Sequence, residues 1–294
     1  MSVLSPSRQL LVNADDFGLS SAINNGIVAA LTEGIVRSTS IVASGDAFDE
    51  AIDQARANPQ LGVGVHLTLV EEAAIAPSAT IPTLAPQGML PPKYGALIKA
   101  VATGHIGMLD IEREFRAQIE KCLAVGLTLT HLDSHQHTHA FPAIFKLVLR
   151  LGNEYRIPGI RIPRDRPRLS QRSVPRFLPK CALCVLAHGD AMLFARGGSI
   201  TTQHFAGLFE TGDLTQQALL NIFAKLKPGT TELVCHPGQP DASGKYTNWN
   251  ERRQTELATL TSPTIRKAVG DNRIELISYR ELCDDSANTA GCAA

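Results

Sequence analysis

Acidic and imidazole side chains in this sequence follow short apolar runs. Asp15 and Asp16 end the run LLVNA, His66 ends GVGV, His236 ends ELVC, and a histidine-rich segment occupies 131–139. Two adjacent carboxylates repel each other and lose hydration when buried, so a metal ion, a cationic partner or exposure to water must compensate them. Carboxylate oxygens combined with neutral imidazoles form a ligand set that suits zinc and other divalent first-row ions.

The elements that must position these residues alternate along the chain. Strand-like runs cover 9–15, 38–44, 61–67, 127–134, 157–163, 199–206, 231–236 and 273–278, and helical patterns fall near 20–33, 46–57, 110–125, 141–153, 214–226 and 249–260. This alternation predicts an α/β fold with a parallel sheet, and seven or eight units predict a single (β/α) barrel, regular or irregular. Catalytic residues of such barrels lie at the C-terminal ends of the strands, so we expect the acids and histidines to meet in one pocket. A doubly wound open sheet is the alternative.

Length and segment composition predict one catalytic domain. The barrel is expected to span residues 1–284, with loop insertions at about 71–108 and 164–198 and a frayed tail at 285–294. The first insertion is rich in Pro, Ala and Gly, and the second begins with arginine and proline before it becomes apolar. Long excursions from a compact domain are usually binding loops or lids.

The charge balance and the cysteine content argue against several classes of protein. The 294 residues carry 28 basic and 28 acidic side chains, so overall attraction to nucleic acid gets no support. Six scattered cysteines in a chain of this size indicate reduced thiols, and the CxxC at 181–184 lies in an apolar stretch typical of a buried helical turn. With no signal peptide before the first strand and no apolar stretch long enough to cross a bilayer, we expect a cytoplasmic protein.

These residues could also have purely structural roles, without catalysis or metal binding. A single buried histidine such as His66 is more often a core residue than a ligand. Asp16 or Ser20 could cap the helix that follows. The three histidines of HQHTH (135–139) would share one face if the strand continued, whereas a chain that left the strand after the first would place the later two in a loop or behind the ligands. A structural explanation is reasonable for any one of these residues. It is much less expected to account for all of them, because every one lies at the end of a predicted strand.

The same residues carry a resemblance to a known family. The chain resembles the YdjC-like carbohydrate deacetylases, also called the chitooligosaccharide deacetylase-like family, in six segments: VNADDFGLS (12–20), GIVRSTSIV (34–42), GVHLTL (64–69), THLDSHQHTHAFP (130–142), IRIPR (160–164) and CHPG (235–238). These segments are spread over most of the chain, so their combination is specific. The length and the middle segment are similar to those of the hopanoid-biosynthesis-associated branch.

The resemblance implies a role for each residue. Position by position it assigns three metal ligands and two proton-transfer residues: Asp16, His66 and His135 for the metal, Asp15 as general base and His236 as general acid. Arg161 would orient Asp15 or a substrate oxygen, and His137 would join Arg161 as a substrate-binding residue. The cofactor would be one divalent metal ion; zinc suits the ligands, and magnesium is commonly assigned to the family.

The implied reaction is the removal of the N-acetyl group from an N-acetylated amino sugar, either chitooligosaccharide-like or hopanoid-linked N-acetylglucosamine, with release of acetate. A glycoside hydrolase is the nearest alternative, but its two carboxylates flank a bond and stand roughly 5 to 10 Å apart. Another metallohydrolase built on HxHxH would need further ligands. A metal- or sugar-binding protein without turnover would not need Asp15 or His236.

The arginine-rich stretch bears on the partner of the chain. Six arginines crowd into residues 161–176, opposed only by Asp165. The stretch fits a solvated surface loop, a lid, or a cationic segment that contacts the inner membrane or a lipid-linked acceptor together with the apolar run after it. A homodimer is a further alternative.

Overall fold

The computed structural model describes residues 7–167, 174–194, 199–241 and 244–291. Within these ranges the strands are β1 (Arg8–Phe17), β2 (Ser38–Ile41), β3 (Gly62–Leu67), β4 (Leu129–Ser134), β5 (Gly159–Ile160), β6 (His204–Ala206), β7 (Gly229–Cys235) and β8 (Ile274–Ile277). The helices are α1 (Ser21–Thr32), α2 (Phe48–Ala57), α3 (Tyr94–Ala102), α4 (Met108–Ala124), α5 (Pro142–Glu154), α6 (Val174–Phe194), α7 (Gln216–Phe223), α8 (Asn250–Leu260), α9 (Pro263–Asp271) and α10 (Tyr279–Gly291). Short 3-10 helices cover Ser78–Thr80, His135–Ala140 and Thr247–Trp249.

The strands form one parallel sheet, which confirms the predicted α/β barrel and excludes the doubly wound alternative. Their order is β5-β4-β3-β2-β1-β7-β6, and β8 pairs with the first half of β1. Edge strand β5 meets the segment that leads into β6, where the backbone N–H of Ile160 donates to the carbonyl of Ile200 at 2.8 Å. The sheet therefore curls into an irregular barrel with the carboxyl ends of its strands at one mouth.

Strand β1 lies at the centre of this sheet. It pairs with β2, β7 and β8, and its residues Leu10, Leu11 and Val12 have no solvent exposure. A parallel strand covered on both faces needs an almost continuous apolar run, which explains why the run LLV precedes the two acids. The helices outside the sheet bury one apolar face each, as α5 does with Ile144 and Val148.

The two predicted insertions both contain regular structure. The first includes α3 and is tied to the barrel by buried Glu114, whose carboxylate accepts the backbone N–H groups of Ile75 and Ala76. The second contains α6, and the CxxC motif lies within this helix, as predicted, although Cys184 is buried and Cys181 only half-buried. Of the predicted tail, residues 285–291 continue α10, and 292–294 lie outside the described residues.

The described part of the chain contains five cysteines, and all are free thiols. None of the helices within it combines the length and the apolar character needed to cross a bilayer.

Candidate active site

Asp15 and Asp16 lie on a β-bulge near the carboxyl end of β1. The register between β1 and β2 shifts between Ala14 and Phe17, and Asp16 adopts a left-handed backbone conformation with φ 77°. A regular strand sends consecutive side chains to opposite faces, whereas a bulge re-aims one of them, so both carboxylates can reach the same pocket. The hydroxyl of Ser20 caps α1, which leaves Asp16 available for other contacts.

Asp15 is paired with the guanidinium of Arg161, which follows β5. Nη1 of Arg161 donates to Oδ2 at 2.7 Å and Nη2 donates to Oδ1 at 2.8 Å, while the Asn13 amide donates to Oδ1 at 2.9 Å. Arg161 is fully buried and also contacts Asp133 and Glu232, each at 2.7 Å. Burial raises the pKa of Asp15, but the charge of Arg161 lowers it and the net pKa falls below its usual range. Asp15 is therefore an oriented carboxylate at neutral pH.

Asp16 has a different arginine partner. Arg253 of α8 donates from Nη2 to Oδ2 at 2.6 Å, which leaves Oδ1 at 3.1 Å from Nδ1 of His135 and 3.5 Å from Nε2 of His66. Burial raises the pKa of Asp16, but Arg253 and His135 lower it to well below its usual range. The two adjacent carboxylates are thus compensated by separate cations, and this is how both can be buried in the charged form.

His66 at the end of β3 is held from behind by a carboxylate. Its Nδ1 lies 2.8 Å from Oδ1 of Asp133 and 3.2 Å from the hydroxyl of Ser40. Its Nε2 faces Asp16 and lies 4.0 Å from Oδ2 of Asp15. The acceptor at Asp133 assigns the ring proton to Nδ1, so the lone pair of Nε2 points toward the two aspartates.

His135 stands where the chain leaves β4. The strand ends at Ser134, and positive φ angles at Gln136 and His137 turn the backbone into a 3-10 helix. Nδ1 of His135 faces Asp16, and its Nε2 lies 3.3 Å from Oε2 of Glu71. Burial lowers the pKa of His135, but the two carboxylates outweigh it and raise the pKa to about 10. Metal ligation requires the neutral ring, so binding at this site would release a proton.

Asp16, His66 and His135 form a candidate metal site. Their ligand atoms lie within 4.8 Å of one another, and one carboxylate oxygen with two imidazole nitrogens suits a divalent first-row ion. A second group, Asp15, His66 and Asp133, shares the same histidine. Both of its carboxylates already bind the guanidinium of Arg161. The first set is therefore the better fit for one ion.

His236 follows β7, the strand beside β1. Its backbone N–H donates to Oε2 of Glu256 at 2.6 Å, and its Nδ1 lies 3.8 Å from the same oxygen. Burial lowers the pKa of His236, but Glu256 and, more weakly, Asp15 and Asp16 raise it above its usual range. In the sheet Cys235 pairs with Ala14, so His236 and Asp15 follow directly after paired residues of neighbouring strands.

His137 contacts other side chains than the metal-ligand candidates. Its ring packs edge-on against Phe205 and His139, with centroids 6.1 and 6.2 Å away, and burial lowers its pKa well below the usual range. Nε2 of His139 lies 3.0 Å from the carbonyl of Arg161, a structural contact. The histidines of HQHTH therefore do not share one face, and the alternative in which the chain leaves the strand after His135 is confirmed.

Several residues that support the site were not singled out from the sequence. One of them had a local signal, because Asp133 stands at the end of β4, two residues before His135. The others are distant in sequence from the groups they hold, so no local pattern indicated them: Glu71, Glu232, Arg253 and Glu256.

Comparison with known proteins covers nearly the whole chain. The family described as YdjC-like protein matches residues 9–271. Carbohydrate deacetylases of Brevibacillus brevis and Geobacillus stearothermophilus are each 34% identical, over 93% and 94% of this chain and 99% and 98% of theirs. A crystal structure from Enterococcus faecalis, of a protein named for cellobiose-phosphate cleavage, superposes with a TM-score of 0.76 at 24% identity, over 94% of this chain and 99% of that one. This last likeness shows a shared fold.

Proposed function

This chain belongs to the YdjC-like family, and from that premise we propose that it is a metal-dependent hydrolase that removes the N-acetyl group from an N-acetylated amino sugar. Residues 1–284 would act as one catalytic domain. The proposal rests on the different surroundings of two neighbouring acids: Asp16 faces His66 and His135, whereas Asp15 is held by Arg161 at the edge of that cluster. The curated relatives named carbohydrate deacetylase support the reaction class.

The ligands of the ion would be Asp16, His66 and His135. When bound, a divalent ion such as zinc or magnesium supplies Lewis-acid polarisation of the acetamide carbonyl and of a water molecule. Arg253 binds Oδ2 of Asp16 and so leaves Oδ1 as the ligand atom. Asp133 keeps the ring proton of His66 on Nδ1 and so leaves Nε2 for ligation.

Asp15 would accept a proton from the attacking water. Its Oδ2 lies 4.0 Å from the ligand nitrogen of His66, close to the ion site without belonging to its ligand set. The two hydrogen bonds from Arg161 hold the carboxylate in one orientation. They also weaken it as a base, so Asp15 would return the proton to solvent after the reaction, and His236 would be reprotonated from solvent.

His236 would donate a proton to the departing amine, because an amide nitrogen leaves poorly without one. Its raised pKa increases the protonated fraction at neutral pH. Glu256 fixes the backbone of His236 and stabilises the charged ring. The products would be acetate and a free amino sugar.

The sugar would be N-acetylglucosamine in a chitooligosaccharide or linked to a hopanoid. The second insertion supports a lipid-linked acceptor and a peripheral membrane contact, because α6 exposes Leu178, Val185 and Met192 by 77%, 72% and 76%. Seven-residue spacing puts the three side chains on one face of the helix. A homodimer that covers this face is the competing arrangement. Residues 168–173 of the arginine-rich stretch lie outside the described residues.

The test compares acetate release and metal binding in two neighbouring isosteric variants. Asp15→Asn is expected to bind the metal like the wild type while its rate falls about a hundredfold to ten-thousandfold, the usual effect of losing a general base. Asp16→Asn is expected to lose metal affinity and activity together. Asp49→Asn, on the exposed side of α2, is the matched control and should retain both.

The substrates are a soluble chitooligosaccharide and a hopanoid-linked N-acetylglucosamine, and metal binding is measured by calorimetry. Wild-type acetate release from the Asp15→Asn variant would remove this residue from the mechanism. Reducing ends without acetate would replace deacetylation by glycosidic cleavage. Binding of metal and sugar without either product would make the chain a binding protein.

A further inference from the structure

A second cleft lies on the flank of the barrel, between α6 and α7. It has a volume of about 590 Å³, and strands β6 and β7 line it with His204, Phe205 and Thr231. Thr231 precedes His236 by five residues, which corresponds to about 16 Å along an extended strand. None of the residues of the candidate active site lines this cleft. It is therefore a separate surface.

The lining of this flank cleft carries an excess of positive charge. Among its described residues the only acid is Asp165, and the Arg and Lys side chains are Arg164, Arg166, Lys225 and Lys227. Asp165 is buried, and its carboxylate accepts the backbone N–H groups of Arg166 at 2.6 Å and Leu208 at 3.1 Å. Asp165 offsets one of the four positive charges, and the cleft retains a positive field.

His204 responds to that field. Burial lowers the pKa of this histidine and the carbonyl of Pro228 raises it, while the charges of Lys227, Arg164 and Arg166 lower it, and the net pKa falls below its usual value. These like charges line one cleft, so they repel one another. A bound anion would relieve this repulsion.

Two further features suit the flank cleft to a ligand with oxygen acceptors. The Arg164 guanidinium donates from Nη2 to the carbonyl of Gln203 at 3.1 Å, which orients it in advance. Thr231 is 97% buried, and its hydroxyl has no hydrogen-bond partner among the described residues. Buried hydroxyls normally have a partner, so this one indicates that a ligand or water completes the site. Lys225 and Lys227 are exposed and form no ion pair within the described chain.

We propose that the flank cleft binds a phosphate-class anion, carried either by a soluble phosphate monoester or by a lipid headgroup. The guanidinium forks of Arg164 and Arg166 match the geometry of phosphate oxygens, and Lys225 and Lys227 add point charges at the rim. The site shares no residue with the candidate active site, although Phe205 of its lining packs against His137.

The two sources differ in what else they would contact. His188 of α6 lines the cleft, and at 100° per residue it lies about 60° around the helix from Val185 and about 40° from Met192. Both of these apolar side chains are exposed. A lipid headgroup in the cleft would bring its acyl chains beside this stripe, whereas a soluble phosphate monoester would leave the stripe in water.

The experiment titrates the full chain with inorganic phosphate and with glycerol phosphate by calorimetry in a chloride buffer. The variant Lys225→Gln/Lys227→Gln removes two charges from the rim, and Lys99→Gln/Lys146→Gln removes two exposed charges outside the cleft as the matched control. We expect saturable binding for the wild type and the control, weakened by salt, and binding about tenfold weaker or more for the rim variant. No saturable binding at millimolar phosphate, or equal weakening in both double variants, would overturn the proposal.

Vesicles distinguish the two sources. Co-sedimentation with phosphatidic acid in phosphatidylcholine, competed by phosphate and weakened by Val185→Ser/Met192→Ser, identifies a lipid headgroup. Phosphate binding that this serine variant leaves unchanged, without capture on vesicles, identifies a soluble monoester. The two lysine double variants should release acetate from a soluble chitooligosaccharide at the wild-type rate, so failure of this proposal is distinguishable from failure of the proposed function.

Discussion

Arg161 holds Asp15 through two parallel hydrogen bonds and touches, with the same Nη1, the carboxylate of Asp133. Asp133 in turn accepts the ring proton of His66. One buried guanidinium therefore orients the proposed general base directly and a proposed metal ligand through one intermediate. The planar fork of arginine makes this arrangement possible, since a lysine ammonium presents no bidentate geometry.

Replacing Arg161 should destabilise the protein strongly. Arg161→Met leaves the buried carboxylates of Asp15, Asp133 and Glu232 without their cation, and removing one partner of a buried ion pair costs about 3–5 kcal/mol. The free energy of unfolding, measured in urea, checks this. Arg150→Met is the control, because this half-exposed arginine pairs with Glu112 at the surface and should contribute no more than about 1 kcal/mol. Similar losses in both variants would contradict the prediction.

Replacing Asp133 should weaken metal binding without removing any ligand. Asp133→Asn no longer provides the carboxylate that holds the Nδ1 proton of His66, and losing such a partner typically lowers metal affinity about 10- to 100-fold. Titration with zinc or magnesium in a calorimeter measures the effect. Asp110→Asn changes another buried carboxylate, one bound to Thr83, and should leave metal affinity unchanged. Unaltered affinity in the Asp133 variant would remove this residue from the site.

A methyl group at Gly26 should disturb the position of His236. Helix α1 packs against the loop after β7 so closely that a Cβ at Gly26 would lie 2.4 Å from Cα of Gly238. Gly26→Ala should therefore lower both acetate release and the free energy of unfolding, the latter by about 1–3 kcal/mol. Gly95→Ala in α3 meets open space and should be neutral or slightly stabilising, because alanine favours helix. Equal melting temperatures for the two variants would contradict this account.

The stability contributed by Asp190 should fall as the pH rises. This residue of α6 is fully buried, neither carboxylate oxygen has a partner among the described residues, and burial raises its pKa from 3.8 to about 7. Between these two values the folded chain keeps a proton that the unfolded chain has released, so the free energy of unfolding decreases across this window and stays low above it. A shift of this size corresponds to about 4 kcal/mol.

Asp190→Asn, which mimics the protonated acid, tests the sign of this effect. Urea denaturation of both proteins across a pH series should give similar free energies of unfolding at about pH 4. Above that pH the variant should become the more stable protein, by a difference that grows until about pH 8. An advantage that does not change with pH would show that the carboxyl group does not titrate in the folded chain within this window.

The amino-acid sequence by itself determined the fold class and the strand ends that carry the chemistry. Short apolar runs alternating with amphipathic helices leave few topologies other than a parallel α/β sheet, and parallel strands place their carboxyl ends together. Positions such as His66, at the end of a strand, and His236, directly after one, were therefore identifiable without a structure.

Only the tertiary structure decided how the charges are paired. Arg253 and Asp16 are 237 positions apart in the sequence, and Arg161 and Asp15 are 146 apart. The β-bulge that directs both acids into one pocket has no periodic pattern in the sequence. Local patterns encode the direction of side chains within one element. Which buried cation meets which anion depends instead on how distant elements pack, and on the free energy of desolvating each group there.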